Sequence, residues 1–232
     1  MTTAPRGRFF MCSVLVAMLV TGLVRAVLLQ IVAAMRERYP DIRLHLVENL
    51  SGNLATMLGA RQLDLAVLFQ EERTRRWSVL PLLEEKLFLI CRRDLPAAPT
   101  QDHISLAELG DIPLIMPSGP HGLRALLNNA STQGAHALNI SAEIDGLSLL
   151  MDAVRAGYGA TIQPGAAIAR LPPEEFRLID IIDDSVSRPN LLVSLSDDEL
   201  SPAGLATRVV LQQVASELAS SGQWPGATVY NR

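Results

Sequence analysis

The chain has 232 residues, with 20 basic and 24 acidic side chains giving a formal net charge of −4 and a mean hydropathy of +0.24. That length suits one large domain or two small ones, and 49% hydrophobic against 19% charged residues puts it at the apolar end of soluble proteins without the repeated long apolar blocks of a multi-spanning membrane protein. The charges are scattered and form no basic face, which argues against DNA binding by this chain alone, because neutralising phosphates needs clustered cations.

The first segment, Phe9 to Met35, carries one charge, Arg25. It reads as a membrane span, a signal peptide, or the first strand and helix of a core. A span needs about twenty consecutive apolar residues, and Phe9 to Val24 is too short for one. Ile42 to Glu48 then alternates apolar and polar residues, as a strand with one wet face does. Leu54, Met57, Leu58 and Arg61 recur at helical spacing. Leu65 to Phe69 is a continuous apolar run suited to a strand covered on both faces. Strand, helix and strand within about thirty residues is the size of a βαβ unit.

The same logic returns further on. Ile112 to Pro117 predicts a strand, Gly122 to Asn129 a helix, Asn139 to Ile144 a strand, Leu147 to Arg155 a helix and Ala160 to Gln163 a strand. The segments Leu95 to Thr100 and Ser185 to Asn190 mark passages near a junction between two lobes. Ser201-Pro202 is an N-cap followed by a proline in the first turn, opening a helix from Ala203 to about Ser220 with Val210, Val214 and Leu218 as its packing stripe. Asn49-Leu50-Ser51-Gly52, Pro117-Ser118-Gly119-Pro120 and Asp145-Gly146 each follow a strand and precede a helix, and Pro164-Gly165 follows a strand. In doubly wound sheets ligands sit beyond the carboxyl ends of the strands, so these loops form the candidate site.

Catalytic and metal chemistry find little support. His45, His103, His121 and His136 include no pair spaced i, i+4, so no zinc or other metal site is expected. Ser118, His121 and Asp145 make an imaginable triad, but Pro117-Ser118-Gly119-Pro120 is not the strand-turn-helix pattern that exposes a nucleophile. No enzymatic activity and no cofactor are expected. Gly157-Tyr158-Gly159 precedes a strand rather than opening a helix, and its expected role is to end the helix before it. Cys12 and Cys91 lie in apolar runs without metal spacing and are expected to be buried free thiols. The Glu71 to Arg76 and Asp180 to Asp184 stretches are expected to be solvated turns. His121 at a helix start suits either a satisfied polar residue or a donor to a ligand.

Several segments in order resemble the effector-binding domain of LysR-type transcriptional regulators. They are AMRERYPDIRL (34–44), GARQLDLAV (59–67), PLLEEKLFLI (81–90), IPLIMPS (112–118), VRAGYGATIQP (154–164) and LSPA (200–203). Within that family LVENLSG (46–52), PSGPHGLR (117–124) and EIDGL (143–147) are most similar to the nitrogen-assimilation-control type. The resemblance runs from about Gly7 to Ser220. It implies an α/β fold with two lobes, the type 2 periplasmic-binding-protein-like fold, each lobe a mixed, mostly parallel sheet flanked by helices. Lobe I is expected at about 8–85 plus 196–220, and lobe II at about 86–195.

Under the resemblance the opening run splits into a buried strand from Phe9 to about Leu19, a turn at Val20-Thr21-Gly22, and a helix from Leu23 to Arg38. Val24, Val27, Leu28, Ile31 and Met35 then face the sheet. The resemblance also implies a small-molecule effector cleft lined by Thr21, Gly22, Ser51 and Gly52 on one lobe. The other lobe supplies Pro117, Ser118, His121, Gly122, Asp145, Gly146, Gln163 and Pro164. Hydroxyls and glycine amides at helix starts suit a carboxylate or similar group. A cytoplasmic homo-oligomer, by default a dimer, is implied, with no membrane partner. DNA would be reached only through a winged helix-turn-helix that this chain does not carry, so a late start or a free-standing sensing domain is expected. The alternative function is the solute-binding protein of a transporter, with the opening run as its signal segment; its removal would delete the first strand and helix.

Overall fold

The structure, a computed structural model, describes residues 12–19, 24–69, 77–119, 122–133, 137–168, 172, 174–183 and 186–230. The elements run β1 (Cys12–Leu19), α1 (Val24–Arg38), β2 (Ile42–Asn49), α2 (Ser51–Gly59), β3 (Leu65–Leu68) and the long β4 (Ser78–Arg92). They continue with β5 (His103–Ile104), β6 (Leu114–Met116), α3 (Gly122–Gln133), β7 (Ile140–Glu143), α4 (Leu147–Arg155) and β8 (Thr161–Pro164). β9 (Phe176–Ile181), β10 (Ser187–Ser194), α5 (Pro202–Ser220) and β11 (Ala227–Val229) complete the chain.

Two half-sheets share one topology. In the first, β1 lies parallel between β2 and β3, and β10 runs antiparallel beside β3, giving the order β2-β1-β3-β10-β4. In the second, β6 pairs in parallel with β7 and meets the β8 segment through the bridge Leu114 to Ala160, with Ile115 N donating to Ala160 O at 2.8 Å. β8 then pairs antiparallel with β4. β4 is the shared strand: it pairs with β10 from Ser78 to Lys86 and with β8 and β9 from Leu87 onward. One lobe therefore gives way to the other between Lys86 and Leu87.

The cores explain the patterns. On β3 every residue is buried, Leu65 and Val67 toward α1 and α5, Ala66 and Leu68 toward α2. That is why its sequence is continuously apolar rather than alternating. Ile31 and Met35 of α1 and Val210, Val214 and Leu218 of α5 fill the first face; Leu54 and Leu58 of α2 fill the other. Leu28 packs beside Ile31, whereas the side chains of Val24 and Val27 lie outside the described residues. In the second lobe, Leu123 and Leu127 of α3 cover Leu89, Leu114 and Ile162, while Leu150, Met151 and Val154 of α4 cover Ile90 and Ile115. Each fully buried Leu or Ile contributes about 1.5–3 kcal/mol.

Several expectations change. β10 belongs with the first half-sheet, because it pairs with β3 and its Leu191 and Val193 complete the α2-side core, so the return crossing precedes Ser187 instead of falling near 195. The Asp180 to Asp184 stretch is not simply a solvated turn: Asp180 and Ile181 end β9, and Asp183 accepts a hydrogen bond from Leu106 N at 2.8 Å. Arg61 lies beyond α2, at φ 59°, because Gln62 N donates to Met57 O and closes the helix end. Gly157, at φ +83°, ends α4 as expected. Glu71 to Arg76 lie outside the described residues.

Candidate functional site

Loops leaving the carboxyl ends of β2, β6 and β7 each lead into a helix. In the first lobe Asn49 Oδ1 accepts from Leu50 N at 2.9 Å and Asn53 Nδ2 at 2.7 Å, fixing the turn. The residue before α2 is Leu50, which offers no side-chain cap, and buried Ser51 is the first helical residue rather than the cap. Among the described residues no side chain caps the first turn of α2, and the same holds for α4, preceded by Gly146. A Cβ built on Gly52, Gly119 or Gly146 meets no atom within 4 Å, so packing does not demand glycine at any of them.

In the second lobe the structure joins two of the expected loops. Ser118 N donates to Asp145 Oδ1 at 2.8 Å, and Ile144 N donates to Met116 O at 2.9 Å. The Ser118 amide is thus already engaged by a carboxylate, which leaves it a poor anchor for a ligand carboxylate. The bond also uses Asp145 in positioning a loop. Pro117 is buried at the end of β6, and Gly122 opens α3. Thr21, Gly22 and His121 lie outside the described residues.

Gln163 is the most informative of the expected residues. It is fully buried in β8, pairs with Phe88 of β4 and lies three residues past the Ala160 to Leu114 bridge. Among the described residues neither its Nε2 nor its Oε1 has a hydrogen-bond partner. A buried amide left unpaired costs about 1–3 kcal/mol, so folding alone gives no reason to place it there. Pro164, next in the strand, is buried. The walls of the two lobes meet at Leu147, the first residue of α4, which packs on the cores of both.

A buried polar cluster at the lobe junction was not legible in the sequence. Arg188 Nε donates to Glu85 Oε2 at 2.9 Å with both side chains buried, and Trp224 Nε1 donates to Glu85 Oε1 at 2.8 Å. The guanidinium stacks 3.3 Å from the centroid of Phe69, at the end of β3. Burial pushes the Arg188 guanidinium down from its ordinary value, opposed by Glu85. Nearby Asn190 is also fully buried, with neither amide atom partnered among the described residues. In sequence these residues sit in Glu-Glu-Lys and Arg-Pro-Asn, which look solvated; only the pairing of β4 with β10 sets Glu85 opposite Arg188.

Other chemistry is sparse. Among the described residues no three His, Cys, Asp or Glu side chains are grouped to hold a metal ion. Cys91 is a buried free thiol whose pKa burial raises, the opposite of an activated nucleophile; the Cys12 side chain lies outside the described residues. No helix among the described residues is long and apolar enough to cross a membrane. An open groove of about 920 Å³ lies away from the helix-start loops, between α5, β4, β11 and Arg38.

Two half-sheets of one topology, a shared strand and helix-start loops on their carboxyl edges define a two-lobed α/β protein of the periplasmic-binding-protein type. The LysR substrate binding domain model matches residues 15–219, and the chain belongs to that family. It is 27% identical over 196 residues to the nitrogen assimilation regulatory protein nac of Klebsiella aerogenes, covering 82% of this chain and 62% of that protein. The nac protein of Escherichia coli (strain K12) is 24% identical over 205 residues, covering 86% and 65%. This chain thus spans less than two thirds of the length of either relative. Among solved structures, the regulatory domain of Synechocystis PCC6803 CcmR in complex with 2-PG matches with a TM-score of 0.79 at 18% identity, covering 89% of this chain and 98% of that one. The effector binding domain of QuiR in complex with shikimate matches at 0.77 and 19% identity, covering 88% and 97%.

Proposed function

We propose that this chain is the effector-sensing and oligomerisation part of a LysR-type transcriptional regulator, one whose similarity to nac points to nitrogen metabolism. It binds a small molecule between its lobes and catalyses no reaction. Ser51 and Gly52 line one wall; Pro117, Ser118, Gly122, Asp145, Gly146, Gln163 and Pro164 line the other, and the family resemblance adds Thr21, Gly22 and His121. The observation that carries this reading is the Gln163 amide, buried at the helix-start edge of β8 with both polar atoms unpaired. Such a group is uneconomical for folding and useful for a ligand that supplies the missing partners.

Ligand binding would shift the population of lobe arrangements and, through a homodimer in the cytoplasm, the placement of DNA-binding modules. That 2-PG and shikimate occupy related domains supports small polar acids as first probes. The test is thermal shift of the chain with 2-PG, shikimate and a panel of amino acids, carboxylates and amides. At a hundredfold excess over Kd a ligand stabilises by about 2.7 kcal/mol, which raises the melting temperature of a chain this size by roughly 5–10 °C. The shift should vanish in Gln163→Leu. A shift of full size in Gln163→Leu, or none with any compound, refutes the cleft reading. Sedimentation of the unliganded chain as a monomer at micromolar concentration refutes the oligomer.

A further inference from the structure

Besides β4 and the passage from β9 to β10, a third segment ties the lobes together. After α5 the chain turns at Gly222, φ +71°, runs through Trp224-Pro225-Gly226 and returns as β11, which pairs with Leu83 to Glu85 of β4. This strap is fastened to the first lobe. Trp224 is 3% exposed and packs in that lobe's core, its Nε1 bonds Glu85, and Gly226 O accepts from Lys86 N at 2.9 Å.

Its outer side presses on the second lobe. A Cβ built on Gly165, the residue after β8, would lie 2.7 Å from Pro225 O and 2.8 Å from Pro225 Cβ. One built on Gly226 would lie 2.7 Å from Cε2 and 2.9 Å from Cζ of Phe88, a β4 residue beyond the lobe switch. Gly165 is therefore required by contact with the Pro225 backbone across the lobes, and Gly226, set against the Phe88 ring, is required by its φ of +77°. Ala166, the next residue of the second lobe, packs into the first lobe's core. Close-packed surfaces of this kind are bistable rather than compliant, so a shift of under an ångström must be taken up by moving one body.

We propose that Trp224-Pro225-Gly226 is a strap that sets the angle between the lobes through its contact with Gly165 and Phe88, and that it must slide or lift when the lobes rearrange. Gly165 stands two residues after Gln163, so a link from ligand to strap rests on the cleft reading above; the strap itself does not.

The test needs no ligand. The chain has two tryptophans, so Trp77→Phe leaves Trp224 as the sole indole. In that background Gly165→Ala should raise the acrylamide quenching constant of Trp224 about threefold or more, as expected when a local contact opens, and should increase the radius of gyration seen by X-ray scattering. Gly110→Ala, at φ +50° and meeting only Glu108 O at 3.9 Å, should leave both values at those of the parent. Pro225→Gly removes the facing Cβ and loosens the strap without crowding, and is the second variant should Gly165→Ala lose its circular dichroism signal. It too should raise quenching, by about twofold. Parental quenching and radius in folded Gly165→Ala, or in Pro225→Gly where the first variant fails to fold, overturn the proposal. Failure here leaves the ligand reading of Gln163 intact, and failure of every thermal-shift probe leaves the strap intact.

Discussion

Replacing Arg188 by methionine should be the most damaging single polar change in the chain. The side chain is 1% exposed, and its partner Glu85, 2.9 Å away, is 0% exposed. Removing one member of such a pair strands a buried carboxylate, which costs about 3–5 kcal/mol. The lost stacking on Phe69 contributes about 1 kcal/mol more. With a urea slope of about 2–3 kcal/mol/M, the unfolding midpoint should fall by roughly 1.3–3 M. The assay is equilibrium urea unfolding followed by tryptophan fluorescence and circular dichroism. In the double variant Arg188→Met with Glu85→Met the Glu85 carboxylate is no longer stranded. The Trp224 N–H loses its acceptor, a cost of about 1–3 kcal/mol, so the double variant should be more stable than Arg188→Met alone. Two outcomes refute the reasoning: a loss under about 1 kcal/mol in Arg188→Met, or single-variant losses that simply add in the double, since residues in one ion-paired network couple by about 0.5–3 kcal/mol.

Gln163→Leu should stabilise the unliganded chain by about 1–2 kcal/mol, a rise of roughly 2–8 °C in melting temperature by calorimetry, because it removes an amide that has no partner. A fall would mean that the amide serves the fold. Ser201 Oγ accepts from Gly204 N at 3.1 Å as the cap of α5, so Ser201→Ala should cost about 0.5–2 kcal/mol in urea unfolding. Acid should destabilise the chain. Hydrogen bonds from Ser78 and Arg208 hold the Asp197 carboxyl below its ordinary range, and those from Arg155 do the same for Glu175. A carboxylate with a depressed folded pKa contributes stability above its unfolded value, near pH 4, and loses it as pH falls through the folded value. Melting temperature should therefore drop below about pH 4, and the drop should be smaller in Asp197→Asn.

Much of the fold was legible locally. Ile42 to Glu48 alternates because one face of β2 is wet, Leu65 to Leu68 does not because β3 is covered twice, and Ser201-Pro202 announces α5 where it begins. Long β4 and the late strands β9, β10 and β11 were not assigned. β4 changes neighbours at Lys86, so its residues face two cores in succession and show no single period. Of the candidate site, the loops were legible from their turn residues. The bond between Ser118 and Asp145, which engages the backbone amide of an expected lining residue, spans 27 residues and belongs to the packing of β6 beside β7.

The sequence by itself determined the βαβ repeat, the helix starts and ends, and the family, because these rest on period, turn chemistry and short ordered motifs that act within a few residues. Only the tertiary structure decided that Glu85 meets Arg188 103 residues away, that Gln163 is sealed without a partner among the described residues, and that Gly165 is glycine because two lobes touch there. Burial and strand register are properties of the assembled sheets, and no local pattern in the chain encodes which distant residue will stand opposite.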